Sequence, residues 1–233
     1  MRQLLLTLLL LFSRSSSPGI IFEDVSTQAG LQKPLEGMMG HAAAWGDLNN
    51  DGLADLFVGG YCDRPDSEYL PAKGPVPAKL FRNVGNGKFE IVQNPALSFC
   101  GRASGALFVD LNQDGFSELY VSNNAKIPPA DAPAGLARRM NLRSKLFQNR
   151  NGNFSDISES SGGCPDNSMS ARSVGALDYN LDGLLDLFVV EDKFGSRQKA
   201  RSVLLKNAGK LRFKVANAEA GLPDDIYGLG LAI

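Results

Sequence analysis

Apolar residues run through this chain in short blocks rather than at helical spacing. Strongly apolar blocks, LADLFVGG (53–60), FSELYVS (116–122) and LLDLFVV (184–190), each follow a block in which Gly and Ala break up larger side chains: GHAAAWGD (40–47), ASGALFVD (103–110) and RSVGALD (172–178). A third kind of block recurs as KLFRN (79–83), KLFQN (145–149) and VLLKN (203–207). A glycine-bearing turn and a Phe follow each, in VGNGKF, NRNGNF and AGKLRF. These patterns predict units of four short strands, the last two a hairpin across the Gly/Asn turn. The units span about 38–98, 101–162 and 170–222, and 226–233 begins a fourth. The small residues of the entering strand imply a crowded position. The connections Tyr61–Ala78 and Asn124–Arg143 show no helical period and read as loops.

Tandem four-stranded antiparallel units predict an all-β chain built as the blades of a β-propeller. The small strand would line a central channel and the Phe-bearing strand the rim. FEDVSTQAGL (22–31) echoes FSDISESSGG (154–163) and FKVANAEAGL (213–222), so IIFEDV reads as a rim strand with no blade before it. YGLGLAI (227–233) reads as an entering strand without its loop. Three blades and two end strands do not close a ring. The expectation is a fragment of a larger ring of about seven blades, or a ring completed by a helper chain or oligomer.

The turn between the first and second strands of each unit is acidic: DLNNDGLAD (47–55), DLNQDGFSE (110–118) and DYNLDGLLD (178–186). Position 1 is Asp47, Asp110 or Asp178; position 3 is Asn49, Asn112 or Asn180; position 5 is Asp51, Asp114 or Asp182; position 9 is Asp55, Glu118 or Asp186. Oxygens at alternate positions converge as the backbone curls, and Gly52, Gly115 or Gly183 permits the reversal. The carbonyls of Leu53, Phe116 and Leu184 at position 7 complete an all-oxygen set. Such a set suits a hard cation of flexible coordination, Ca²⁺ before Mg²⁺, at about three sites. An EF-hand would need a bidentate Glu at position 12 and flanking helices. Position 12 here is Val58, Val121 or Val189, so the sites are strand–loop–strand.

The chain of 233 residues carries a formal charge of −1, which favours neither nucleic acid nor an anionic membrane. The cluster Arg138, Arg139, Arg143 and Lys145 reads as a solvated loop. Arg2, the apolar run Leu4–Phe12 and the serines after it lay out a secretory signal peptide over residues 1–17. The run is too short to span a bilayer of ~30 Å, so the expected product is exported, periplasmic or at the cell surface if bacterial, and does not span a membrane.

Export permits disulfides. In a propeller Cys62 follows a second strand and Cys100 precedes the next first strand, so both lie on the face opposite the acidic loops, where they can pair. Cys164 is left free or paired elsewhere. Asn153, in NFS, is a glycosylation acceptor if the source is eukaryotic.

Catalytic groups are scarce. His41 is the single histidine and reads as packing in the channel-side strand; Trp45 reads as core. Tyr61, Arg64 and Tyr69 lie on a long loop, either packing it or presenting a contact surface.

The triple D-x-N-x-D-G motif resembles the FG-GAP/VCBS repeat of integrin-α-type β-propellers. The grammar FEDVS…AGL, WGDLNNDG and LFRN…GNGKF is similar to that of the ASPIC/UnbV and cartilage acidic protein group. The resemblance covers residues 20–233 and implies an exported, non-catalytic calcium-binding scaffold that recognises an extracellular protein or glycan, as in adhesion. The alternative is part of a propeller enzyme, such as a polysaccharide lyase or hydrolase, with its catalytic groups elsewhere.

Overall fold

The computed structural model describes residues 20–165, 170–193 and 201–232; the expected signal peptide, residues 1–17, lies outside them. After the short α1 (Gln32–Leu35), twelve strands form three four-stranded antiparallel sheets, each in sequence order. The first sheet holds β1 (Gly40–Gly46), β2 (Asp55–Gly60), β3 (Lys79–Asn83) and β4 (Phe89–Ile91). The second holds β5 (Ala103–Val109), β6 (Glu118–Asn123), β7 (Lys145–Arg150) and β8 (Asn153–Asp156). The third holds β9 (Ala171–Leu177), β10 (Asp186–Glu191), β11 (Val203–Asn207) and β12 (Phe213–Val215). The arrangement is propeller-like.

The inner strands β1, β5 and β9 pack side by side, and the space between successive sheets is the core. Phe57, Leu80, Leu119, Val121 and Phe147 fill the gap between the first two sheets. Phe99 stacks there 6.4 Å from Phe57 and 5.9 Å from Phe147. Tyr120, Leu146, Leu187, Val189 and Leu205 fill the gap between the second and third. Buried on both faces, β6 and β10 read as continuous apolar runs instead of alternating ones.

The small residues of the inner strands follow from this contact. A Cβ on Gly105 would stand 2.7 Å from the Arg172 carbonyl oxygen and 3.1 Å from the Ser173 Cα, both backbone of the third sheet. One on Gly46 would stand 2.6 Å from the Phe108 Cβ.

Several expectations need correction. Asn124–Arg143 is not all loop, because α2 (Ala134–Met140) forms within it. Ala134–Met140 follows Pro133, whose fixed φ and missing N–H suit a helix start, and its length of two turns is too short to show a period. Residues 20–25 form no strand, and Ile21 is 90% exposed. Residues 227–232 likewise form no strand, although Gly228 N–H donates to the Glu191 carbonyl (2.9 Å). Trp45 is not core. It is 58% exposed, because alternation puts Ala42 and Ala44 against the second sheet and Trp45 on the other face, edge-on to Phe89.

Gly105→Ala is expected to destabilise the fold by about 1–3 kcal/mol through overpacking against rigid backbone. Gly40→Ala, where a Cβ meets nothing within 4 Å, is expected to be near neutral. Urea unfolding of both variants checks the difference.

Candidate metal centre

The three acidic loops fold alike because the same local bonds close each one. Asp47 Oδ1 accepts from Asp51 N–H (3.1 Å) and Oδ2 from Gly52 N–H (2.8 Å). Asp110 serves Asp114 and Gly115, and Asp178 serves Asp182 and Gly183, in the same way. Position 5 turns back on the chain: Asp51 Oδ1 accepts from Leu53 N–H, Asp114 from Phe116 and Asp182 from Leu184. The glycines at position 6 take φ of +82°, +89° and +87°, the left-handed region that disfavours a side chain.

Position 9 has a structural role that positions 1, 3 and 5 lack. Asp55, Glu118 and Asp186 are fully buried. Asp55 Oδ2 accepts from Leu48 N–H (2.9 Å) and Oδ1 from Asn83 N–H (2.7 Å). Glu118 holds Leu111 and Asn149, and Asp186 holds Tyr179 and Asn207, in the same manner. Each carboxylate thus ties the start of its loop to the end of the third strand. Burial raises the pKa of Asp55 and Asp186 and pushes Glu118 up to about 7; these backbone bonds pull the other way, and the carboxylates at positions 1 and 5 add to the rise. Asp182 stays below the usual range, held by the Asn180 amide.

The Asn that ends each LFxN block carried no role in the sequence reading, yet it is the main support of the loops. Its side-chain N–H donates to the position 8 carbonyl of its own loop: Asn83 to Ala54 (3.0 Å), Asn149 to Ser117 (3.0 Å), Asn207 to Leu185 (3.0 Å). Asn149 also donates to the Leu48 carbonyl (2.9 Å), and Asn207 to the Leu111 carbonyl (2.7 Å), each in the loop of the preceding sheet. At position 4, Asn50 donates to the Gly115 carbonyl (2.8 Å) and Gln113 to the Gly183 carbonyl (2.6 Å). The three loops are therefore one hydrogen-bonded row. The recurrence of Asn at one place in all three units was the signal available in the sequence.

The donor set can be tested against a hard cation. Among the described residues no three His, Cys, Asp or Glu side chains converge closely enough to hold a metal by themselves. A site here has to draw on amide and backbone oxygens as well. Two such oxygens fit: Asn49 Oδ1 and Asn180 Oδ1, at position 3, are buried without a hydrogen-bond partner among the described residues, an arrangement that costs free energy unless a donor or cation meets them. Carboxylates at positions 1 and 5 keep lone pairs beyond those used by backbone N–H groups. The residues present fit Ca²⁺ with mixed carboxylate, amide and carbonyl ligands.

On the opposite face Cys62 and Cys100 form a disulfide, Cα atoms 5.5 Å apart, joining the first sheet to the second. Cys164 is a free thiol beside Tyr120, and burial pushes its pKa up to about 12. Asn153 is exposed at the start of β8. Of the loop residues named for a contact surface, Tyr69 is fully buried and Tyr61 nearly so, which corrects that alternative; Tyr69 Oη accepts from Arg64 N–H (2.9 Å) and donates to the Tyr61 carbonyl (3.2 Å). Arg64 is exposed. His41 is also exposed instead of packed in, its ring stacked 4.7 Å from that of Tyr61.

Residues 47–121 match the family model of the FG-GAP-like repeat. The match begins at the first loop's leading Asp and ends inside β6, so it spans two of the three loops, and it supports reading the chain as an FG-GAP repeat protein. No curated protein matches the sequence.

Asn149→Ala is expected to lower stability by about 2–4 kcal/mol, since it leaves the Leu48 and Ser117 carbonyls unpaired. Asn83→Ala, which loses no bond between sheets, should cost less; chemical denaturation of both checks the order. A second expectation concerns pH in chelated protein. Free Glu titrates near 4.5 and folded Glu118 near 7, so below pH 4.5 both states hold the proton and its contribution is constant. Between these values the unfolded chain releases the proton first, and stability falls as pH rises. Glu118→Gln should flatten that part of the stability–pH curve, and an unchanged slope would refute the assignment.

Proposed function

We propose that this protein is an exported, calcium-binding propeller scaffold that recognises an extracellular protein or glycan and does no catalysis. The observation that carries the reading is the loop built three times in register, with a buried, unpartnered Asn oxygen at position 3 in two of them. Asp47, Asn49, Asp51, the Leu53 carbonyl and Asp55 would hold the first ion, with the equivalent residues from Asp110 to Glu118 and from Asp178 to Asp186 holding the others. Calcium supplies positive charge that offsets the mutual repulsion of these carboxylates. The chain's own residues set the loop shape, through the position 9 carboxylate and the LFxN asparagine, before any ion enters.

Export is supported by the Cys62–Cys100 disulfide, since such bonds persist in oxidising compartments. No helix among the described residues is long and apolar enough to cross a membrane. The repeat grammar supports kinship with the ASPIC/UnbV and cartilage acidic protein group, and the side-by-side packing of β1, β5 and β9 supports part of a larger ring.

Calcium at about 100 times its Kd should stabilise the native state by about 2.7 kcal/mol per site through mass action. The expected outcome is a higher Tm in calcium than in EDTA, and a smaller rise in the Asp110→Asn, Asp114→Asn double variant. Identical melting in calcium and EDTA would end the proposal.

A further inference from the structure

A cavity of about 330 Å³ opens between the second and third sheets, at the end that carries the acidic loops. Gln148 and Arg150 of β7 line it, with Lys210 and Arg212 from the turn between β11 and β12, Ser160 from the turn after β8, and Asn112 from the middle acidic loop. No Asp or Glu lines it. Its three cations have no ion-pair partner among the described residues, whereas Lys145 of β7, Lys206 of β11 and Lys214 of β12 each pair with a carboxylate. Arg150 Nη2 donates to Gln148 Oε1 (3.5 Å), and Arg212 Nη1 donates to the Ser160 carbonyl. Each guanidinium keeps further N–H groups for a ligand. Three like charges around one small space repel each other until an anion joins them.

The turn that carries two of these cations departs from its counterparts. VGNGKF and NRNGNF place Asn and then Gly in the left-handed region: Asn86 and Gly87 at φ +53° and +68°, Asn151 and Gly152 at +52° and +81°. In AGKLRF the same two positions are Lys210 (+53°) and Leu211 (+56°). The turn is otherwise kept, since Ala208 N–H donates to the Arg212 carbonyl (2.7 Å) as Val84 N–H does to that of Lys88 (2.9 Å). A leucine in this region is strained, and it persists only where its surroundings hold it. Leu211 is held by burial among the side chains that pack the second sheet against the third. That anchor fixes the turn, and Lys210 and Arg212 stand on either side of it.

We infer that this cavity binds the oxyanion of an acidic saccharide, a sulfate or carboxylate group held by Arg150, Lys210 and Arg212, with the ring hydroxyls on the Gln148 amide and the Ser160 hydroxyl. A guanidinium offers paired N–H groups that match two oxygens of such a group. The volume is at the lower end of small-molecule sites, roughly 300–1,000 Å³, and suits a single sugar ring. An acidic peptide fits less well. Peptides gain affinity from an open strand edge, and β7 has none here, being paired with β6 on one side and β8 on the other. The site rests on the recognition reading, whose ligand class it names, and not on calcium loading. It can therefore fail while calcium still raises Tm, and the reverse.

The test is calorimetric titration of the whole protein with galactose 4-sulfate, galacturonic acid, galactose, inorganic sulfate and triglutamate. At least one acidic sugar should bind about tenfold or more tightly than galactose, inorganic sulfate and triglutamate, and more weakly at high salt. Lys210→Asn restores the residue that the other two turns carry, so it should melt at or above the parent temperature while weakening the acidic sugar about tenfold and flattening its salt dependence. Arg150→Gln should weaken it by a similar factor. Arg82→Gln, which removes an exposed cation of the first sheet, should leave it unchanged. Acidic sugars that bind no better than galactose, inorganic sulfate or triglutamate, or that give no heat at millimolar concentration, would overturn the site. So would tight binding that ignores both Lys210→Asn and Arg150→Gln, although the recognition reading would then stand.

Discussion

A carboxylate removed from water has to be satisfied by its own chain, and each sheet of this protein is organised around one that is. Asp55, Glu118 and Asp186 each receive two backbone N–H groups, one from the loop and one from the third strand. Those bonds set where the loop begins relative to the sheet. They also bring the LFxN asparagine under the loop, where its amide spans from one sheet to the next. The loops are thus shaped by buried polar bonds, and an ion would enter a frame that already exists.

The same frame explains the division of labour between the two faces. Acidic side chains are concentrated on the loop side, with their repulsion partly met by backbone N–H groups. On the other side the connections are longer and carry the disulfide, α2 and the cluster around Tyr61. The sheets between them supply rigidity. Their inner strands approach so closely that Gly46 and Gly105 leave no space for a Cβ, and a frame packed by such contacts changes shape little.

Much of the architecture was legible because repetition multiplies weak signals. One D-x-N-x-D-G turn is ambiguous; three in register, each followed by an apolar block and LFxN, set the strand order of all three sheets. The crowding of the inner strand was legible in its Gly and Ala, and the apposition of Cys62 and Cys100 in the order of the strands. Trp45 and His41 were misjudged, and Tyr69 was left open between packing and contact, for one reason. Burial of an aromatic depends on which face of its strand meets a neighbour, or on what a loop folds over, and neither is written in local pattern. The role of Asn83, Asn149 and Asn207 was missed because its partners lie about 30 to 100 residues away in sequence.

Sequence by itself determined the local units: strand blocks, turn glycines and the oxygen-rich loops, all of which follow from φ preferences and alternation between neighbouring residues. Only the tertiary structure decided that position 9 is a buried strut, that the loops form one linked row, and that Arg102 and Arg172 meet on Tyr61. These outcomes depend on side chains from different sheets competing for the same donors and the same dry space, and that competition is settled only when the sheets pack.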